Sequence, residues 1–232
     1  MASNKKMPCV AGATGLVGSC LVNNLLNLYP KVISLTRKKV DYSSEKIHNI
    51  VIDYDNLKNE NIFQNVNHLY IALGTTRKKA GSSKNFIKVD YNYCLDLAKS
   101  ALENGVEKIS IISSVGSNPN SSLLYPRTKG LIEREISKLN FNHLSIVRPA
   151  LILGERNEHR TGEKIGVFVF TFLDYFLFGN LKKYKSIMAN DISKAMINQL
   201  INGEDGVHVL EYEQLILNAN HFNTLSSGNL VS

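Results

Sequence analysis

Ser113-Ser114, Tyr125 and Lys129 are residues whose types and spacing suit acid–base chemistry. A Tyr-x-x-x-Lys spacing places both side chains on one face of a helix, one turn apart. A free tyrosine gives up its proton near pH 10. To act as acid or base near neutrality it needs a cation that stabilises the phenolate. Bringing the value from about 10 to about 7 takes about 4 kcal/mol of differential stabilisation, part of which Lys129 can supply. A serine hydroxyl beside the tyrosine can donate to a substrate carbonyl oxygen as that oxygen gains charge. Taken alone the pattern is common. Its ordinary account is a helix-start tyrosine, a surface lysine and serines that cap a strand end.

A second feature changes that balance. Gly12-Ala13-Thr14-Gly15-Leu16-Val17-Gly18 is a glycine-rich turn only eleven residues into the chain. A short apolar run, Met7 to Ala11, precedes it, and apolar residues at helical spacing follow from Leu16 to Tyr29. Strand, glycine turn and helix together let backbone approach a pyrophosphate and set a helix N-terminus against its charge. An ordinary tight strand-to-helix turn is the competing account. The next strand ends Leu35-Thr36-Arg37-Lys38-Lys39. An NAD site usually offers an acid there, for the ribose 2′-hydroxyl. Arg37 instead can grip a 2′-phosphate and stack on adenine, and Asp41 comes only after three cations. The expected cofactor is NADP(H) rather than NAD(H), and the nicotinamide cation would add to Lys129 in stabilising the phenolate.

The elements that must position these residues follow from apolar spacing. Strands are expected at Val32 to Leu35, His48 to Ile52, Asn67 to Leu73, Lys108 to Ile112 and His143 to Val147, with a last one at Val207 to Leu210. Phe86, Val89, Tyr93, Leu97 and Ala101 mark a long helix from Phe86 to Asn104, stopped by Gly105, and Tyr125 to Leu139 reads as another. Alternating strands and helices predict an α/β fold, a Rossmann-type doubly wound parallel sheet covered on both faces. Residues 1–220 form a single expected domain, with about 153–220 contributing a small C-terminal substrate region. Within it Glu155 to Lys164 reads as a polar loop, and Asp191 as the cap of a helix running to about Ile201. Residues 221–232 read as a flexible tail. Ile165 to Phe178 is strongly apolar and aromatic. It suits a buried helix or a homodimer contact, or else a lid or a peripheral membrane contact.

Composition narrows the function classes. The 232 residues carry a formal net charge of +7, with 27 Lys and Arg. These are scattered in short runs, and no aromatic-interleaved basic stripe points to nucleic acid. Cys9, Cys20 and Cys94 are far apart in apolar contexts, so neither a disulfide framework nor a zinc site is expected. The six histidines lack ligand spacing, and no metal is expected. Reduced core thiols suit a cytoplasmic location. Lys5-Lys6 before apolar residues mimics a signal peptide, but the stretch holds the glycine loop. The longest apolar segment is too short to span a bilayer, so no transmembrane segment is expected.

The glycine loop, Ser113-Ser114, Tyr125 and Lys129 together resemble the short-chain dehydrogenase/reductase superfamily. Further stretches resemble an atypical branch, the human Tat-interacting oxidoreductase family. These are Leu73-Gly74-Thr75-Thr76-Arg77, Ala80-Gly81-Ser82, Val89-Asp90, Lys129-Gly130 and Arg148-Pro149. The resemblance implies a Rossmann fold, NADPH binding and carbonyl reduction of an unspecified small molecule. It makes Tyr125 the proton donor or acceptor, and sets Lys129 to hold the nicotinamide ribose and lower the tyrosine pKa. Ser114 fits the catalytic serine better than Ser113, and Asn92 falls near the superfamily's catalytic asparagine. Asp53 would meet the adenine amine, Leu73, Gly74 and Thr75 would line the cofactor, and Pro149, Ala150, Leu151 and Ile152 would pass the carboxamide. Two other readings share these residues: a non-catalytic NADPH-sensing module that binds a protein, and a sugar-nucleotide epimerase or dehydratase.

Overall fold

Short apolar strands alternate with helices whose apolar stripes cover both faces of one sheet, and this alternation dictates the architecture. The computed structural model describes residues 7–57, 62–154, 174 and 177–227. The strands are Met7–Ala11 (β1), Val32–Thr36 (β2), Ile47–Val51 (β3), Val66–Ile71 (β4), Lys108–Ile112 (β5), His143–Val147 (β6), Ile152–Leu153 (β7), Ile187–Met188 (β8) and Gly206–Leu210 (β9). Seven form a sheet in the order β3-β2-β1-β4-β5-β6-β9, with every neighbouring pair parallel. Strands β2 and β6 are buried along their whole length, as a sheet covered on both faces requires. The strand order reverses between β1 and β4. In open α/β sheets the crevice beyond the strand C-termini at that reversal is where ligands bind. β7 and β8 pair separately as a small parallel ribbon.

The helices are Leu16–Leu25 (α1), Arg77–Ala80 (α2), Ser83–Ile87 (α3), Cys94–Glu103 (α4), Leu124–Ser137 (α5), Ala189–Asn202 (α6) and Tyr212–Ser227 (α7). One core packs Ile33, Leu69, Ile109 and Ile146 of the sheet against Leu97 and Ala101 of α4 and Ile132 and Ile136 of α5. The other packs Val10, Tyr70 and Val147 against Leu21 of α1, Ile192 and Met196 of α6 and Leu215 and Phe222 of α7.

Three expectations are corrected here. The helix expected from Phe86 to Asn104 is interrupted by a π-helical turn, Lys88–Tyr93, between α3 and α4. Its apolar residues Val89, Tyr93, Leu97 and Ala101 recur every four residues rather than every 3.6, and one wider turn accommodates that drift. Asp191 is not the cap of α6. The cap position is Met188, and Asp191 lies in the first turn, where a carboxylate still suits the helix dipole. Helix α7 continues through the first part of the segment expected to be a tail, because Phe222 (3% exposed) anchors it to the core. The expected Glu155 to Lys164 loop and most of Ile165 to Phe178 lie outside the described residues. At the end of the latter, Asp174 accepts from the Ser186 backbone N–H at 3.0 Å and from its hydroxyl.

Candidate functional site

The glycine turn sits at the C-terminal end of β1, beside the reversal of strand order. Gly12 has φ +83°, and a Cβ there would lie 2.6 Å from the Ala72 carbonyl oxygen, so this turn crosses the end of β4 too closely for any side chain. Gly18 is tighter still: a Cβ would lie 2.0 Å from the Gly12 carbonyl oxygen. That contact packs α1 directly onto the turn. Gly15 occupies the cap position of α1 with no side-chain cap, and no acid stands in the first turn. The first amides of α1 are therefore left for a ligand or solvent, in a field that favours an anion. Ala13 and Val17 are buried in the core, whereas Thr14 and Gly15 are exposed.

Around this turn the fold gathers the other expected cofactor residues. Leu16 lies against Gly154, so the segment after Pro149 returns to the glycine loop. Ile152 is half-buried in β7 and paired with Ile187. The Pro149 carbonyl accepts from Val115 N–H at 3.0 Å and the Leu151 carbonyl from Ile187 N–H at 2.9 Å, so these backbone acceptors already have partners. Arg37 is exposed at the end of β2. Its charge reaches Tyr54, a buried phenol whose pKa is raised by burial and eased down by Arg37 and a hydrogen bond with the Gly12 backbone. Asp53 is exposed, and its Oδ1 accepts from Asp55 N–H at 3.0 Å in a small turn. Glycine turn, basic strand end and acidic turn together fit a dinucleotide phosphate with its adenosine end.

The acid–base residues come from α5 and the end of β5. Tyr125 stands in the first turn of α5, 45% exposed, with its ring 5.7 Å from that of Phe86. Lys129, one turn on, is 4% exposed. It is no surface lysine: its Nζ lies 2.8 Å from Asp90 Oδ1 and donates to the Ile112 carbonyl at 3.4 Å. Burial works against its charge, but Asp90, Tyr125 and Cys94 around it hold its pKa above the ordinary lysine value. The two serines part company, as neighbours on a strand must. Ser113 is buried and shares a 2.9 Å hydrogen bond with Ser117. Ser114 is half-buried, and among the described residues its hydroxyl reaches only the Val115 carbonyl, at 3.2 Å. Gly130 brings α5 against the backbone at Asn118 and Pro119, where a Cβ would meet Pro119 N at 2.2 Å. Arg148, at the end of β6, clamps the same helix: its Nε donates to Glu133 Oε1 at 3.0 Å. The Arg148-Pro149 dipeptide thus braces α5, so the arginine is absorbed in structure.

Asn92 is exposed on the π turn, and no described contact ties it to Lys129. The residue that faces Lys129 is Asp90, 1% exposed. Its Oδ1 meets the lysine and its Oδ2 accepts from Thr75 N–H at 2.9 Å. The sequence carried a signal for it: Phe86, Asp90, Cys94 and Ala98 recur every four residues, and all four are buried. An acid on an apolar stripe requires a partner. Among the described residues no cluster of His, Cys, Asp or Glu could hold a metal ion.

The profile of the NAD dependent epimerase/dehydratase family matches residues 9–197. The chain belongs to this family. Among curated members it is similar to "Protein FMP52, mitochondrial" of Candida albicans, 38% identical over 235 residues that cover 92% of this chain and 98% of that one. It is similar also to "Protein HTATIP2" of Rattus norvegicus, 32% identical over 215 residues, 89% of this chain and 86% of that one. The resemblance to the Tat-interacting branch therefore holds. Among solved structures, MoeE5 in complex with UDP-glucose and NAD superposes with TM-score 0.67 over 94% of this chain and 82% of that one. At 15% identity this shows the shared Rossmann fold. The cytoplasmic expectation is corrected: several relatives in this family are named mitochondrial. The thiols on which it rested are free cysteines, Cys9 and Cys94 buried in the core, and such cysteines record packing rather than compartment.

Proposed function

We propose that this chain is an NADP(H)-dependent oxidoreductase that reduces a carbonyl on a small molecule. The observation that carries the reading is the buried Lys129 one turn from the half-exposed Tyr125, on a helix that follows β5 as the uncapped glycine turn follows β1, at the C-terminal end of the sheet. In this reading Gly12 to Gly18 present the first amides of α1 to the pyrophosphate, Arg37 takes the 2′-phosphate and Asp53 the adenine amine. Leu73, Gly74 and Thr75 line one side of the nicotinamide end, and Pro149 and Ile152 the other. Bound NADPH supplies a hydride. Tyr125 gives its proton to the substrate oxygen, and Ser114 donates a hydrogen bond to that oxygen as charge develops. Ser113, tied to Ser117, steadies the turn. Lys129 has three N–H donors, of which two have partners among the described residues, and the third serves the ribose. The mitochondrial names of the relatives make a mitochondrion the proposed location.

A second reading, epimerase or dehydratase chemistry on a sugar nucleotide, is favoured by the family match itself. The two part on cofactor handling. Titration of the purified protein with NADPH and NADH, followed by nicotinamide fluorescence, should show NADPH bound at least about tenfold more tightly, the worth of one charge-assisted contact. NAD retained through purification would favour the epimerase, and binding of neither nucleotide would sink both. Any reduction found in a carbonyl panel should be lost in Tyr125→Phe.

A further inference from the structure

Lys129 is the expected source of the field that acidifies Tyr125, yet its ammonium does not act alone. Asp90 lies 2.8 Å from it, and both side chains are at least 95% buried, at 5% and 1% exposure. At that depth a carboxylate in contact with an ammonium cancels most of its field a turn away. We infer that Asp90 is a positioning residue that restrains the acidity of Tyr125: it neutralises Lys129 toward the phenol and ties the ammonium to the loop after β4. The second half follows from Asp90 Oδ2, which accepts the Thr75 N–H at 2.9 Å. One carboxylate thereby fixes both the lysine and the backbone expected to line the nicotinamide. The superfamily pattern places a neutral asparagine near here, whereas this chain places a charge.

Among the described residues, the groups that face Lys129 are Asp90 from the π turn, Tyr125 from its own helix, Cys94 from α4 and the Ile112 carbonyl from β5. Of these, Asp90 forms an ion pair with it. In this proposal the nicotinamide ring, as it becomes cationic on losing hydride, supplies stabilisation of the phenolate that the neutralised Lys129 does not. This inference rests on the reading of Tyr125 as the acid.

The test needs neither substrate nor cofactor. Tyrosinate absorbance is titrated in the full-length protein, and in each background a Tyr125→Phe counterpart is subtracted to isolate one phenol among ten tyrosines. Asp90→Asn keeps an oxygen for Thr75 N–H and removes the charge. It should move the Tyr125 midpoint down by about one unit, a tenfold change in acidity. Lys129→Met should move it up by a similar amount. The double variant should return it to within a few tenths of the parent. If Asp90→Asn does not fold, Lys129→Met and the double variant carry the test, since a purely structural pair would change melting without moving the phenol. Coincident titrations in parent, Lys129→Met and double variant would overturn the inference. That outcome would leave the reductase proposal standing, which nucleotide titration decides separately.

Discussion

Gly18→Ala tests whether the first helix is seated on the glycine turn as tightly as described. The added Cβ would lie 2.0 Å from the Gly12 carbonyl oxygen, 2.7 Å from the Gly12 carbonyl carbon and 3.0 Å from Ala13 Cα. Ordinary contact begins at 3.4 Å, so the first of these falls short by 3.4 − 2.0 = 1.4 Å. Every atom it meets is backbone, and no rotamer can relieve the clash. Either α1 or the turn must move by more than an ångström. Overpacking of this kind costs about 1–3 kcal/mol. For a chain of this length that lowers the melting temperature by roughly 2–12 °C. Gly15→Ala is the internal comparison. Its Cβ would stand 3.2 Å from the same oxygen, within a few tenths of an ångström of ordinary contact, and faces outward at the uncapped helix start. Its cost in stability is about 1 kcal/mol or less. NADPH affinity should fall in both, but Gly18→Ala should lose more in melting temperature than Gly15→Ala. Thermal melting by circular dichroism beside fluorescence titration separates the two. A Gly18→Ala protein that melts within a degree of the parent would refute the packing argument.

Other outcomes follow from the same geometry. Arg148→Met strands the Glu133 carboxylate, 8% exposed, against α5, and should cost about 3 kcal/mol in urea unfolding; an unchanged midpoint would remove the arginine from its bracing role. His143 has its pKa lowered to about 4 by burial, with His208 and Lys108 adding to it and Asp205 opposing. Because the folded value lies below the unfolded one, the unfolded chain takes up a proton first as pH falls, and stability drops between about pH 6.5 and 4. Unfolding measured at pH 7 and pH 5 should show that loss in the parent and much less of it in His143→Phe. Arg37→Ala should weaken NADPH binding about tenfold and leave NADH binding nearly unchanged; equal losses would place Arg37 away from the 2′-phosphate.

The sheet was legible because its strands are short, apolar and separated by glycine or helix, so β1, β5 and β6 fall where spacing places them. The glycine turn was legible for a related reason, since a backbone that crosses β4 at this distance admits only one residue type. What spacing alone missed depended on pairing across the fold. Asp90 stands on an apolar stripe, but the partner it needs, Lys129, lies thirty-nine positions later and is brought under it only by the fold. Arg148 carries no role in the sequence beyond its place in the Arg148-Pro149 stretch, because its partner Glu133 lies on a helix fifteen positions earlier. The last turns of α7, from residue 221 on, read as a polar tail because the apolar residue there, Phe222, gains its meaning only from packing in the core with α6. The π turn was announced by a four-residue repeat, a drift small enough to pass for an ordinary helix.

The placement of α1 against α6 has a consequence for how the molecule is made. Asn24, near the end of α1, donates to Asn190 Oδ1 at 2.9 Å and to Ser193 Oγ at 2.7 Å, both in the first turns of α6. β1, which ends in the glycine turn, sits between β2 and a strand that leaves the ribosome more than fifty residues later. No neighbouring pair in the seven-stranded sheet is a hairpin, so every pairing waits on chain yet to be synthesised. β1 and its glycine turn are thus made before the elements that cover them, and are finished only once α6 has emerged and docked on α1. Nascent chains arrested before Ala189 should leave the amino-terminal turn open to proteases, and its protection marks the moment the whole domain closes.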